Sequence, residues 1–243
     1  PSDGHLRGPG AMESEPDLDR IAASICASRG LVLEERAGGG GFKEVFRVRR
    51  ADGETVALKV IKATGCSPRT IREIEALERC DHPNIARLFV ADAHTFEGEN
   101  YDFTLEEFLP GGTLTSMLEQ RGPLDTDAAI SLGVQLLDAV AHLADLGLVH
   151  RDIKPENIMF RDDGETPVLV DFGIVRDLSA SSLTLTWAQC GPGTPYFAAP
   201  EQLNNEKPLI SWRTDQFSLG VVVCHARFEV HPYQHSDDPP FSL

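Results

Sequence analysis

The sequence His150-Arg151-Asp152-Ile153-Lys154-Pro155-Glu156-Asn157, followed shortly by Asp171-Phe172-Gly173, decides how this chain is interpreted. It places a carboxylate, a lysine, an amide and a second carboxylate in a fixed order over a short span. A carboxylate can accept a proton, a lysine can neutralise a phosphate, and amide and carboxylate oxygens suit Mg²⁺. This combination predicts phosphoryl transfer from ATP to a hydroxyl group.

The first 110 residues carry the hydrophobic pattern of a small β-rich lobe. Apolar alternation predicts strands, and an Asp52-Gly53 pair predicts a hairpin turn between two of them. Helical spacing predicts one helix over 17–29 and another that begins at Ser67-Pro68. The predicted strands cover 45–48, 55–61, 86–91 and 101–108.

The pattern becomes helical after Pro110-Gly111-Gly112. The spacing predicts a helix whose buried apolar stripe consists of Ile130, Val134, Leu137, Val140 and Ala141. We therefore expect an α+β fold in which a β-rich lobe and a mainly helical lobe enclose a cleft that suits a nucleotide. The expected divisions are an N-terminal arm with a short helix over 1–30, an N-lobe over 31–109 and a C-lobe over 110–243.

The start of the chain and its hydropathy bear on its location. Residues 1–11 fit either a vector-derived remnant ahead of a native start at Met12 or a flexible arm. No segment approaches the roughly 20 consecutive apolar residues of a membrane helix, and no signal peptide is recognisable. We therefore expect a cytoplasmic protein without a membrane segment.

The charge and the cysteines limit the partners. The net charge is −16, from 22 basic and 38 acidic residues, and such a surface repels a nucleic acid duplex. We therefore expect no nucleic acid partner. The five cysteines form no C-x-x-C pair and are odd in number, which favours reduced, mostly buried thiols.

Together these motifs resemble the eukaryotic-like, or Hanks-type, Ser/Thr protein kinase family, and we place the chain among its bacterial members. The resemblance runs from about Leu33 to about Tyr233. It implies a bilobal fold with one regulatory helix in the N-lobe. It also implies transfer of the γ-phosphoryl group of ATP to a Ser or Thr hydroxyl of a protein substrate, with autophosphorylation in the activation segment.

The resemblance assigns catalytic roles to five residues. Asp152 would orient the substrate hydroxyl and receive its proton, and Lys154 would neutralise the transferring phosphate. Lys59 would bind the α- and β-phosphates and pair with Glu73 of the regulatory helix, in preference to Glu75. Thr194, in the Gly-Thr-Pro segment, would contact the catalytic Asp and Lys.

Two further pairs of residues receive roles from the resemblance. Asn157 and Asp171 would supply oxygen ligands to Mg²⁺, with Mn²⁺ as an alternative ion. Thr184 and Thr186 resemble the paired threonines that bacterial kinases of this type autophosphorylate. The other interpretation of this pair is an ordinary solvated loop.

The nucleotide would lie between a glycine-rich loop and apolar walls. The loop is Gly38-Gly39-Gly40-Gly41-Phe42-Lys43, whose backbone N–H groups would point at the ATP phosphates. The adenine ring would contact Val45, Ala57 and Met159, and it would hydrogen-bond to the hinge backbone at Glu107 and Leu109.

Two residues depart from the family pattern. Lys43 occupies the third glycine position of the loop, where it would either serve the phosphates or face solvent. Glu106 occupies the position before the hinge, which is often a bulky apolar residue. A carboxylate there must be solvated, protonated or paired, with Lys59 as the candidate partner.

The match ends soon after Tyr233, and the last helices of the C-lobe are missing from it. We therefore expect a truncated C-lobe with exposed apolar surface around residues 217–223, covered by self-association or by a partner. Glu201 would lack the Arg that usually pairs with it.

Three functions remain open at this stage. The first is an active kinase. The second is a pseudokinase or scaffold that keeps the fold, with or without nucleotide binding, which Lys43, Glu106 and the short C-lobe favour. The third is a small-molecule kinase, which the Gly-Thr-Pro…Ala-Pro-Glu segment disfavours.

Overall fold

The N-lobe is a five-stranded antiparallel sheet. The structure, a computed structural model, describes residues 17–40, 43–62, 74–172 and 194–233. The strand order is β1-β2-β3-β5-β4, and residues 74–78 form a helical segment beside the sheet. The strands are β1 Val32–Gly40, β2 Lys43–Arg49, β3 Thr55–Lys62, β4 Leu88–Phe96 and β5 Glu99–Glu107. The predicted strands are confirmed, with shifts of a few residues at their ends.

The C-lobe is mainly helical and contains one small antiparallel hairpin. Its elements are α2 Leu114–Arg121, α3 Thr126–Asp145, a 3₁₀ turn Pro155–Asn157, β6 Ile158–Phe160, β7 Pro167–Leu169, α4 Thr194–Phe197, α5 Pro200–Leu203, a 3₁₀ turn Lys207–Leu209 and α6 Trp212–Phe228. With α1 Leu18–Arg29 ahead of the sheet, the predicted α+β bilobal fold is confirmed.

Helix α1 covers the outer face of the N-lobe sheet. It begins at Asp17, whose side chain accepts a hydrogen bond from the Arg20 amide at 3.3 Å, and ends at Gly30, which has a positive φ of 65°. Its buried residues pack with Leu58 and its neighbours in one apolar cluster. Because side chains alternate along a strand, Lys59 lies on the opposite face, toward the cleft. The buried residues of α1 are Ile21, Ala22, Ile25 and Cys26.

Helix α3 is the centre of the C-lobe, where it packs against α6 and β7. At their contact, a Cβ on Gly133 would lie 3.4 Å from Val223, so the small residue allows a close approach. By length and composition, α3 alone among the helices of the described residues suffices to cross a bilayer, which is weak evidence for a single helix, and one of its faces packs in the C-lobe core. Its buried face consists of Ala129, Leu132, Gly133, Leu136, Ala139, Val140 and Leu143.

Two sequence predictions about this lobe were wrong. The predicted α3 stripe is buried only at Val140, because α3 is apolar on both sides and periodicity alone does not select the face that packs. The segment 217–223 is largely buried rather than exposed, because Leu219, Val221 and Val222 join the core that includes α3. Among the described residues of the C-lobe, the exposed large apolar side chains are instead Ile130, Val134, Leu137, Leu146, Leu209, Trp212, Phe228, Val230 and Tyr233.

We expect the Ile25→Ala substitution in α1 to lower the free energy of unfolding by about 2–5 kcal/mol, because it leaves a cavity under a fully buried side chain. The matched control is Ile130→Ala on the exposed face of α3, with an expected change within about 0.5 kcal/mol. Urea denaturation of the two variants measures both values. Equal effects would show that α1 is not part of the N-lobe core.

Candidate active site

The structure brings Asp152, Lys154 and Asn157 together in one loop. The Asn157 amide nitrogen donates to the Asp152 backbone oxygen and to its carboxylate Oδ2, both at 2.8 Å. The Lys154 ammonium lies 3.4 Å from the same Oδ2. Because both amide hydrogens of the buried Asn157 point at Asp152, its Oδ1 is the atom that can bind a cation.

Asp215 of α6 holds the backbone at the start of this loop. Its two carboxylate oxygens accept hydrogen bonds from the His150 amide at 2.6 Å and the Arg151 amide at 2.8 Å. Arg151 has a positive φ of 67°, and its carbonyl accepts from Gln202 Nε2 at 2.8 Å. A strained backbone is thus fixed on both sides. Burial raises the pKa of Asp215 above its usual value.

His150 links the loop to the segment that follows β7. It is fully buried, with its Nε2 3.0 Å from the Val170 carbonyl and its Nδ1 accepting from the Asp152 amide at 3.3 Å. Its ring lies 4.6 Å from that of Phe172, centroid to centroid. This pattern fits a neutral ring protonated on Nε2, and burial lowers the pKa of His150. The Val170 amide also donates to the Asn157 carbonyl at 3.0 Å, which places Asp171 beside the loop.

Lys59 lies in the cleft between two carboxylates. Its ammonium contacts Asp171 Oδ1 at 2.6 Å and also donates to Glu106 Oε2. Burial alone would lower the pKa of Lys59, but the charges of Asp171 and Glu106 outweigh it and hold that pKa above its usual value. The other Glu106 oxygen accepts from Thr104 Oγ1 at 2.7 Å. The interpretation of Glu106 as a partner of Lys59 agrees with this geometry.

Lys43 points into the cleft rather than toward solvent. Its ammonium lies 2.5 Å from Asp171 Oδ2, so the solvent-facing alternative was wrong. Burial alone would raise the pKa of Asp171, but Lys59 and Lys43 outweigh it and hold that pKa well below its usual range. Asp171 has a positive φ of 62°.

The described part of the glycine-rich loop runs along the end of β1. Gly38, Gly39 and Gly40 belong to that strand, whereas Gly41 and Phe42 lie outside the described residues. A Cβ on Gly39 would lie 1.9 Å from the Glu44 carboxylate, so a larger residue there would require the Glu44 side chain to move.

The predicted adenine walls and hinge lie around the same cleft. Val45 is the Cα partner of Lys59, and Ala57 is the partner of Glu106. Met159 packs on the cluster that contains Leu109. The Glu107 amide donates to the Arg87 carbonyl at 2.8 Å, and the Glu107 carboxylate pairs with Arg161 of the C-lobe.

Several predicted positions are not described. Glu73, Thr184, Thr186 and the side chain of Thr194 lie outside the described residues, and Glu75 is exposed. Glu201 accepts a hydrogen bond from Thr214 Oγ1 at 2.6 Å, and the expectation that it lacks its usual Arg stays a prediction. The contacts of Arg161 and Gln202 were missed, since they join segments far apart in the chain and leave no local pattern. The Thr104–Glu106 contact was also missed, although the two residues are two positions apart on β5 and strand alternation places them on the same face.

The donor set fits a hard divalent cation. Asn157 Oδ1 and the Asp171 carboxylate are oxygen donors on adjacent segments. Mg²⁺ usually takes one or two protein carboxylates and completes its shell with water and phosphate oxygens. The described residues hold no cluster of three or more His, Cys, Asp or Glu that could hold a metal ion.

Comparison with known proteins identifies the family. A model of the protein kinase domain matches residues 31–241. Serine/threonine-protein kinase ppk25 of Schizosaccharomyces pombe is 37% identical over 197 residues, covering 79% of this chain and 44% of that protein. Dual specificity testis-specific protein kinase 1 of Mus musculus is 32% identical over 194 residues, with coverages of 78% and 30%. Probable serine/threonine-protein kinase PknB of Bifidobacterium longum is 30% identical over 202 residues, with coverages of 79% and 29%.

A solved structure supports the same assignment. The crystal structure of Rad53 1–466 in complex with AMP-PNP has a TM-score of 0.64 and 26% identity, and the match covers 90% of this chain and 55% of that one. The chain belongs to the protein kinase domain family. Its relatives include Ser/Thr kinases of eukaryotes and bacteria, so its bacterial membership stays a prediction. It spans less than half the length of the curated relatives named here.

We expect Asp215→Asn to lower the free energy of unfolding by about 2–3 kcal/mol, because an amide cannot accept both N–H groups with full charge. The exposed Asp145→Asn, at the end of α3, serves as the control for loss of a carboxylate and should change stability by less than about 0.5 kcal/mol. Urea denaturation measures both. Equal stabilities would contradict the role of Asp215 in holding the loop.

The neutral His150 should also make stability depend on pH. The pKa of His150 in the folded protein lies below the ordinary value of 6.5, so below that pH the ring binds a proton more readily in the unfolded chain than in the folded protein. As the pH decreases below about 6.5, the free energy of unfolding should therefore decrease, and this residue should contribute up to about 1.4 kcal/mol per pH unit. In a His150→Phe variant this contribution is absent. The stability difference between parent and variant should narrow between about pH 7.5 and about 5.5, and a constant difference would contradict the assignment.

Proposed function

We propose that this domain transfers the γ-phosphoryl group of ATP to a Ser or Thr hydroxyl of a protein. The observation that carries the proposal is the position of the Asp152 carboxylate. Asn157 and Lys154 contact this carboxylate and orient it. The Asn157 carbonyl accepts a hydrogen bond from the Val170 amide, which places the segment that carries Asp171 beside the loop. The Asp152 base, the Lys154 ammonium and the oxygen ligands of Asn157 and Asp171 thus lie at one edge of the cleft.

The proposed step has three protein groups in named roles. Asp152 orients the substrate hydroxyl and receives its proton as the oxygen–phosphorus bond forms and the bond between the β–γ bridging oxygen and the γ-phosphorus breaks. Lys154 neutralises charge on the transferring group. Lys59 binds the α- and β-phosphates of the departing ADP, and it keeps its positive charge because its pKa is raised.

Asn157 and Asp171 would hold Mg²⁺, or Mn²⁺, in this proposal. When bound, the ion would supply positive charge that offsets the negative charge of the phosphates. Asn157 presents Oδ1 because its amide hydrogens are committed to Asp152. A cation at Asp171 would compete with Lys59 and Lys43, because each lysine now contacts one of its two oxygens.

The remaining assignments complete the proposal. The glycine-rich loop (Gly38–Lys43) contacts the phosphates, Val45, Ala57 and Met159 contact adenine, and the backbone of Glu107 and Leu109 hydrogen-bonds it. Glu73 and Thr194 act as supporting catalytic groups, and Thr184 and Thr186 as autophosphorylation sites. The substrate is a protein with a Ser or Thr acceptor.

Intact-mass spectrometry after incubation with Mg-ATP tests the function. We expect the parent to gain phosphate and Asp152→Asn to react at least about 100-fold more slowly, because the group that receives the proton is lost. The control is Asp162→Asn, an exposed carboxylate in the β6–β7 turn, which should react like the parent. Peptide mapping then checks Thr184 and Thr186.

An unchanged mass in all three proteins would contradict autophosphorylation, and a generic substrate such as histone or dephosphorylated casein then tests transfer to another protein. Failure there as well, with a melting temperature that still rises with ATP, would favour the pseudokinase alternative.

A further inference from the structure

Lys59 has more negative charge around it than a single buried lysine needs. Its ammonium contacts both Glu106 and Asp171, while Asp171 also contacts Lys43. The described charges of this network are two positive and two negative, so the set is neutral. Because Lys43 and Lys59 share Asp171, Glu106 is the carboxylate of this set that contacts Lys59 alone.

The two carboxylates are held very differently. Glu106 lies within β5, paired in the sheet with β3, and its second oxygen is fixed by the Thr104 hydroxyl. Asp171 lies just after β7 in a left-handed conformation, and it is the carboxylate proposed to bind the cation. When the Asp171 oxygens turn to a cation, Glu106 is the described carboxylate that stays with Lys59.

We propose that Glu106 is the positioning residue of Lys59, keeping its ammonium on the β5 side of the cleft for the ATP phosphates while Asp171 binds the cation. The inference rests on the proposed function for the identity of the ligand. Glu106 touches neither substrate nor cofactor in this role and acts through Lys59. Without it, Asp171 would be the one carboxylate among the described residues in contact with Lys59, and the lysine would compete with the cation for its oxygens.

A double-mutant cycle tests this coupling. The variants are Glu106→Gln, which keeps the shape and removes the charge, Lys59→Met, and both together. Calorimetry measures the dissociation constants of Mg-ATP and of adenosine, the probe without phosphate. Glu99→Gln, an exposed carboxylate on the same strand, is the control and should bind both like the parent.

We expect Glu106→Gln to weaken Mg-ATP binding about tenfold, a size within the range measured for residues of one ion-pair network. Adenosine binding should not change, and Glu106→Gln should have no further effect when Lys59 is already Met. Thr104→Val, which keeps the charge and removes the hydroxyl that fixes it, should weaken Mg-ATP binding in the same direction and serves if Glu106→Gln does not fold.

Three results would overturn the proposal. If Glu106→Gln weakened adenosine binding as much as Mg-ATP binding, Glu106 would be a residue that shapes the pocket. If the same variant bound Mg-ATP more tightly than the parent, Glu106 would be an anion that competes with the phosphates. If Glu106→Gln weakened Mg-ATP binding by the same factor when Lys59 is already Met, Glu106 would not act through Lys59. The dissociation constants are measured without any phosphate transfer. If Glu106 and Lys59 proved coupled in Mg-ATP binding but the protein never transferred phosphate, the proposed function would be contradicted and this inference would stand.

Discussion

The buried ion pair between Lys59 and Asp171 is the interaction on which the geometry of the cleft depends. Lys59 belongs to a central strand of the N-lobe sheet, and Asp171 follows the C-lobe hairpin. A charge buried away from water without a partner is energetically costly, so Lys59 of the N-lobe and Asp171 of the C-lobe stabilise each other across the cleft. The pairing of Arg161 with Glu107 repeats this link at the hinge.

The C-lobe holds its polar loop by placing hydrogen-bond acceptors within an apolar core. Asp215 accepts two backbone N–H groups, and His150 fixes the Val170 carbonyl and the Asp152 amide. Because a buried acceptor without a donor is costly, these bonds specify one loop conformation. The left-handed φ of Arg151 is maintained by this arrangement, since its amide and its carbonyl are both engaged.

The sequence predicted the parts that follow from local pattern. Strands β2 to β5, the lobe order and the proximity of Asp152, Lys154 and Asn157 follow from alternation and from one short motif. Strand β1 was not predicted, because its glycine-rich end was interpreted as a loop. Which face of α3 is buried could not be predicted, because α3 is apolar on both sides and packing against α6 makes the choice. The contacts of Arg161 and Gln202 join residues more than 50 positions apart, and no periodicity encodes them.

The two departures from the family pattern, Lys43 and Glu106, prove to be related through charge. Each adds one charge to the Lys59–Asp171 pair, of opposite sign, so the four-residue set remains neutral. Either departure alone would leave a net charge in a largely buried site, which is far more costly than a neutral network. Lys43 also ties the strand that follows the glycine-rich loop to the C-lobe. The two residues therefore act as a compensating pair, and the charges of these four described residues balance before a nucleotide binds.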